Sequence, residues 1–426
     1  MKRFQPLIFI FVISWSSLFG LVQDQPISAE SAIMINADTG KILYVKNPHQ
    51  KLFPASITKI ATAAYVLATA TNHLDDLVEA TQDDIGAVKE EEMRRSNYTL
   101  PAYRLTFGAA HVGVKKGEIL SLRDMIYGMM VASGCDVSNI IARYVGGSVP
   151  AFMKDLNLYL KNLGCTNTEF LNPHGLHHPK HVTTVADMAI LAREAMKNPL
   201  FAEIVSTVQY QRPKTNMQGS TTWMQTNKLL KKGELFYPYA IGVKTGFHSA
   251  AKHSLVSAAR KDGRTLILVQ MKTEVRNKMF QEAAKLFEVA FNEKKETHVI
   301  LSNGVQKHAR KIKGASHPIS TYVEEGLTVS YYPSEPLDYK VFLAWDPAQL
   351  PIRAGERLGE IQLKNSEGRM IKAVPLLAGE DVAMGWIYYL LHPKKWSWGI
   401  TIFFGILFIV GSGLSLVLYR GRQNFR

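Results

Sequence analysis

The sequence predicts a mixed α and β domain, a sheet with helices packed on it, followed by a smaller all-β domain. Three observations carry that reading. Strand patterns at both ends of residues 30–293 enclose a run of amphipathic helical patterns. Near residue 296 the helical signal stops, and short strands separated by turns take over. The chain's 426 residues also exceed a single domain of ~150, so two or three units are expected.

The elements follow in order. Residues 1–29 begin with Lys2 and Arg3, continue as an apolar stretch from Leu7 to Val22 and reach Ile27-Ser28-Ala29. That is the layout of a secretory signal cleaved near Ala29, or of a signal anchor. Ala32–Ala37 and Ile42–Val45 flank Asp38-Thr39-Gly40 and read as a hairpin. Pro54 stands just before an Ala-rich helix running through Ala68, since a first turn has N–H groups to spare. Residues 76–112, with Lys89-Glu90-Glu91-Glu92-Met93-Arg94-Arg95, read as a solvated excursion. Ser121 and Asp124 cap a helix whose Leu122, Met125, Ile126, Met129 and Met130 recur at helical spacing. A further helix ends at Gly164, and Thr184 with Asp187 caps the next. Strands return at Tyr239–Thr245, Ser254–Ala259 and Thr265–Met271, and a helix from Val275 to Phe291 closes the unit.

Residues 296–385 form the expected β domain, with strands at Leu327–Tyr332, Val341–Ala344, Arg357–Leu363 and Arg369–Pro375. Trp396 to Tyr419 then gives 24 residues without a charge, enough to span a hydrocarbon core of ~30 Å. Trp396, Trp398 and Tyr419 sit where interfacial aromatics belong. Arg420, Arg422 and Arg426 make residues 420–426 a cytoplasmic tail, which places everything between the two ends outside the membrane.

Composition narrows the function. Apolar residues at 46% and charged residues at 20% exclude disordered and low-complexity classes. The net charge of +14 favours an anionic surface. In an exported, tethered chain that surface is lipid and wall polymer, and nucleic acid is not an expected partner. Cys135 and Cys165 are too few for a disulfide scaffold and show no zinc spacing, although a bridge between them stays open. His177, His178 and His181 beside Pro179 read as an exposed loop.

Three short motifs carry chemistry. Ser56-Ile57-Thr58-Lys59 puts a hydroxyl and an ammonium on one helix face, where a lysine of depressed pKa can take the serine's proton. Alone it is weak evidence, and it recurs as Ser249-Ala250-Ala251-Lys252. Ser133-Gly134-Cys135-Asp136 marks a break between two helical patterns, and Ser133 can relay a proton. Lys244-Thr245-Gly246 closes an apolar strand. Lys244 offers a charge to a terminal carboxylate, and Gly246 lets a ligand backbone approach.

In order and spacing, these motifs make the chain resemble the penicillin-recognising serine enzymes. More closely, it resembles the low-molecular-mass penicillin-binding proteins, the D-alanyl-D-alanine carboxypeptidases of the peptidase S11 group. Supporting stretches are Asn172-Pro173-His174-Gly175-Leu176, Asp187-Met188-Ala189 and, in the tail, Pro351-x-x-x-Gly355-x-x-x-Gly359. The resemblance implies a serine β-lactamase/DD-peptidase-like α/β (α+β) catalytic domain, a small all-β domain and a C-terminal transmembrane helix. It further implies that Ser56 attacks the D-Ala–D-Ala carbonyl of a peptidoglycan stem peptide and that Lys59 accepts the proton. Ser133 would pass it to the leaving D-Ala, while Lys244 and Thr245 hold the carboxylate. Gly246 lies in that binding strand, and the N–H groups of Ser56 and Phe247 form an oxyanion hole. No metal or cofactor is implied, and β-lactam antibiotics would acylate the same serine. The chain departs from the group's pattern at Cys135, where Asn is usual, and at Phe247, where His is common. Asn139, one helical turn on, is a possible substitute for the missing amide. The acyl acceptor is not written in the motifs, so β-lactamase, endopeptidase, transpeptidase and non-catalytic penicillin-binding readings stay open.

Overall fold

The structure is a computed structural model and describes residues 22–335, 339–365, 368–392 and 405–410. It divides into two units, the first running to Lys294 and including Tyr332–Glu335, the second taking most of the rest.

The first unit is built on five antiparallel strands. In chain order these are β1 (Ser31–Asn36), β2 (Ile42–Lys46), β3 (Ala240–His248), β4 (Lys252–Lys261) and β5 (Arg264–Thr273). Their order across the sheet is β2-β1-β5-β4-β3, which leaves β3 on an edge. Period-2 alternation splits the apolar residues between two faces. Ile33, Ile35, Val256, Ile267 and Val269 face a large helical core. Ala32, Met34, Leu255 and Leu268 face the other way, onto Met279, Phe280 and Phe287. A sheet buried on both faces is stable because each fully covered Leu, Ile or Phe contributes about 1.5–3 kcal/mol.

The helices of six or more residues described in this unit are α1 (Lys59–Thr69), α2 (Glu90–Arg95), α3 (Leu122–Val131), α4 (Cys135–Gly146), α5 (Val149–Asn162), α6 (Val185–Ala195), α7 (Pro199–Ser206) and α8 (Arg276–Phe291). The expected caps are present: the Ser121 side chain accepts from Asp124 N, and Thr184 from Asp187 N. The sequence pattern gave no warning of α7 or of a small hairpin at Gln209–Arg212 and Thr221–Met224. The proline-led helix also starts differently than expected. Its first turn, Ala55–Thr58, is a 3-10 turn entered through a left-handed Ala55 (φ 52°).

Residues 22–29, expected to belong to the leader, pack within this unit. Val22, Ile27 and Ala29 are buried beside α8. Gln23 exchanges hydrogen bonds with the Val45 backbone, and Lys46 Nζ donates to Ile27 O and Ala29 O.

The second unit contains β6 (Glu296–Leu301), β7 (Gly304–Arg310), β8 (Ile319–Val323), β9 (Leu327–Tyr331), β10 (Tyr339–Trp345), β11 (Arg357–Asn365) and β12 (Met370–Ala378). One sheet has the order β7-β8-β12-β11-β10, and β6 pairs with β9. Val323, Leu327, Leu343, Ile361, Leu363, Val374 and Leu376 form its core. Of the expected membrane span, residues 405–410 are helical, and the others lie outside the described residues, as do residues 1–21 and the tail 420–426. Among the described residues no helix is long and apolar enough to cross a membrane.

Candidate active site

The 3-10 turn sets the first pair. With three residues per turn, positions i and i+3 eclipse, so Ser56 and Lys59 stand side by side. Lys59 Nζ lies 3.0 Å from Ser56 Oγ. Lys59 is fully buried, and burial lowers its pKa below the ordinary lysine value, with partial opposition from Cys135 and Asp136. The ammonium site is completed by His174 O at 2.8 Å and Cys135 Sγ at 3.4 Å. Nζ thus donates to Ser56 Oγ, Cys135 Sγ and His174 O, three partners for the three donors of a lysine ammonium.

The left-handed Ala55 is held from behind. Thr58 Oγ1 donates to Ala55 O at 2.9 Å, and His181 Nε2 lies 2.9 Å from Thr58 Oγ1. Leu171 N–H donates to His181 Nδ1, which makes Nε2 the protonated nitrogen. Gly175 (φ 89°) closes the cradle, for a Cβ there would sit 1.9 Å from Ala55 O. His181, read from sequence as an exposed loop residue, is therefore buried, and burial keeps it neutral with a pKa well below the ordinary value. His174 is buried too, its pKa lowered to about 3 by burial and by Lys59.

Ser133 and Lys244 make a second pair. Ser133 adopts a left-handed conformation (φ 67°) in the break between α3 and α4. Its Oγ accepts from Lys244 Nζ at 3.0 Å, and the same ammonium donates to Thr245 O. Lys244 is fully buried, and burial, then the Lys59 charge, holds its pKa well below the ordinary value. The break is pinned by Asp136, whose carboxylate accepts from Val112, Gly113 and Val114 N–H at 2.9–3.1 Å. Cys135 N–H in turn donates to Ala110 O.

On β3 the expected alternation is present. Lys244 and Gly246 are buried, while Thr245 turns its hydroxyl to Thr226 Oγ1 at 2.8 Å. Gly246 abuts the Pro54–Ser56 backbone. Phe247 is 60% exposed and stacks on His253, whereas His248 packs on His177 and Phe53.

Ser56, Cys135 and Phe247 line one cleft of about 290 Å³. Lys59 is tied to it through Ser56 and Cys135, Ser133 through its carbonyl at 4.0 Å from Cys135 Sγ and Lys244 through Ser133, while Thr245 and Gly246 precede Phe247 on β3. The structure thus brings the sequence-marked residues together, with Lys244 turned inward to Ser133. Asn139 does not stand in for an amide beside Lys59, because its Nδ2 donates to Asp84 O and Tyr103 O. In the second Ser-x-x-Lys, Ser249 lines the cleft but Lys252 pairs with Glu274 at 3.2 Å. Cys135 and Cys165 are both free thiols. Sequence reasoning missed the His174 carbonyl, Thr226 and the Asp136 clamp. Only Asp136, at a helical break, carried a local signal.

The sequence profile of the peptidase S11 family, described as D-alanyl-D-alanine carboxypeptidase, matches residues 20–275. The chain belongs to the peptidase S11 family. This S11 peptidase is 30% identical over 375 residues to the D-alanyl-D-alanine carboxypeptidase DacF of Bacillus subtilis (strain 168), covering 87% of the chain and 90% of the relative. The solved DD-transpeptidase of Streptomyces K15 is 29% identical with a TM-score of 0.54, covering 63% of this chain and 98% of that one. Penicillin binding protein 5 of Haemophilus influenzae, at 23% identity and a TM-score of 0.57, covers 84% of the S11 chain and 98% of its own. At that identity the likeness speaks for the fold.

Proposed function

We propose that this S11 peptidase is a serine-type D-alanyl-D-alanine carboxypeptidase that removes the terminal D-alanine from peptidoglycan stem pentapeptides, with Ser56 as nucleophile. The observation that carries the assignment of Ser56 is the 3.0 Å separation of its Oγ from a buried lysine amine. A hydroxyl is a poor nucleophile until a base takes its proton, and a buried amine, whose charged form burial disfavours, can serve as that base. Ser56 Oγ attacks the carbonyl of the penultimate D-Ala and its proton passes to Lys59 Nζ. The tetrahedral oxyanion is met by the N–H groups of Ser56 and Phe247. As the C–N bond breaks, the leaving D-Ala nitrogen receives a proton through Ser133, and an ester remains on Ser56. Water then cleaves the ester, the proton it loses replacing the one delivered to the amine.

Binding of the peptide end is assigned to β3. As an edge strand it leaves one side open to an extended peptide, Thr245 offers its hydroxyl to the terminal carboxylate, and the adjoining lysines supply positive potential. A β-lactam, carrying the same kind of carbonyl, acylates Ser56 and stays attached.

We also propose that the enzyme is exported by its N-terminal segment and tethered to the cytoplasmic membrane by residues 396–419. Its two folded domains then lie outside the membrane with the arginine tail inside. The uncharged 24-residue stretch with its flanking aromatics and arginines supports that tether. The decisive test of function is incubation with diacetyl-L-Lys-D-Ala-D-Ala. Free D-Ala is the expected product, and its absence from active, β-lactam-labelled protein would refute the carboxypeptidase reading.

A further inference from the structure

A trans peptide bond is a rigid plane whose C=O and N–H point in opposite directions, so fixing one end aims the other. The Ala55–Ser56 peptide is such a plane. Its N–H end is the Ser56 donor offered to the oxyanion, and its C=O end is Ala55 O, which accepts from Thr58 Oγ1 at 2.9 Å. The Thr58 hydroxyl has a single proton to give. What directs that proton lies behind it. His181 Nδ1 accepts from Leu171 N–H at 3.1 Å, so Nε2 carries the imidazole proton and donates it to Thr58 Oγ1, 2.9 Å away. The threonine proton is thereby sent forward onto Ala55 O, and each bond in the chain polarises the next. The imidazole is buried and stacked on Phe170, centroids 4.8 Å apart and planes within 16°. Leu52 and Thr183 exchange backbone hydrogen bonds, which ties the His181 segment to the chain entering the turn. Ala55 itself is left-handed, a strained state for alanine that persists only where its surroundings over-determine it. Neither His181 nor Thr58 lines the cleft, so neither meets substrate directly.

We propose that His181 is a positioning residue for acylation: acting through Thr58, it fixes the plane of the Ala55–Ser56 peptide and so aims the Ser56 N–H at the oxyanion that forms as Ser56 attacks. The proposal deepens the reading of Ser56 as nucleophile and rests on it. Because the oxyanion exists only once attack has begun, His181 acts on the acylation rate and not on binding.

Stopped-flow acylation of the detergent-solubilised full chain by a chromogenic β-lactam separates the binding constant from the rate constant at saturation. His181→Phe keeps a buried ring on Phe170 and loses the donor, while Thr58→Val keeps the shape and loses the hydroxyl. Each lowers the saturating rate roughly ten- to a hundredfold, on the scale of a weakened oxyanion donor, and leaves binding unchanged. The double variant is no slower than Thr58→Val, since His181 acts through that hydroxyl. His181→Gln, whose amide donates in the same place, recovers most of the rate. An unchanged rate in Thr58→Val, losses that add in the double variant, or a His181→Gln enzyme as slow as His181→Phe overturns the proposal and leaves Ser56 as nucleophile. If His181→Phe does not fold, Thr58→Val and His181→Gln still decide it. Labelling retained by Ser56→Ala overturns both readings.

Discussion

Gly246 rests against the backbone that carries Ser56, so closely that a Cβ built on it would lie 2.8 Å from Pro54 O and 3.0 Å from Ser56 N. Both obstacles are main-chain atoms, and neither can rotate away. Gly246→Ala must therefore push β3 off the 3-10 turn. A displacement of about 1 Å at a reacting centre costs roughly 100-fold in rate. Stopped-flow acylation by a chromogenic β-lactam is expected to slow by about that factor while the far-UV spectrum stays unchanged. Wild-type acylation by the variant would show that the close approach is irrelevant to the chemistry.

Ser56→Ala should abolish covalent labelling by a fluorescent β-lactam, and retained labelling would exclude Ser56 as nucleophile. In the wild type, the labelling rate should rise with pH as Lys59 loses its proton. Half-maximal rate is expected below the ordinary lysine value of 10.5, because burial disfavours the charged amine. A midpoint at or above that value would remove Lys59 as the base.

At position 135 the acceptor facing Lys59 is a sulfur at 3.4 Å, a weak partner. Cys135→Asn would place an amide there, and D-Ala release should be preserved or raised. Complete loss, measured on the same tripeptide, would mean that the thiol itself is required.

His174 and His181 make the first domain sensitive to acid. Both are buried, and their folded-state pKa values lie below the unfolded value of 6.5, that of His174 at about 3. Between those limits the unfolded chain binds more protons than the folded one. Stability is therefore full above pH 6.5 and falls as pH drops toward 3. At pH 5 His174 alone accounts for about 2 kcal/mol. Urea midpoints at pH 7.5 and pH 5 should differ accordingly, and equal midpoints would contradict the buried neutral state.

Deleting the chain from Trp396 onward should release a soluble, β-lactam-binding protein from membranes in a fractionation experiment. If the truncated protein still sediments with membranes, the tether lies elsewhere, the N-terminal segment being the first place to look.

The motifs were legible because each is local. Ser56 and Lys59 share one turn, and Lys244 and Gly246 share one strand face, so spacing alone predicts their company. What the sequence withheld is formed through space. Nothing local distinguishes His181, which bonds to Thr58, from His178 in the same loop. Thr226 meets Thr245 only because two distant segments converge. In the second unit, β6, β7 and β8 escaped notice: much of the surface of β6 and β7 is exposed, and β8 alternates cleanly but is only five residues long.

The segment Tyr332–Glu335 belongs to the first unit although it follows four strands of the second. Arg264 Nε donates to Glu335 Oε1 at 2.7 Å, and Asn36 Nδ2 to Glu335 Oε2 at 2.9 Å. Both partners are buried on the first unit. The two halves of the gene are therefore not freely separable cassettes: a recombination event that cut after codon 293 would take away the guanidinium's closest counter-ion and leave it only Glu293, 3.8 Å away.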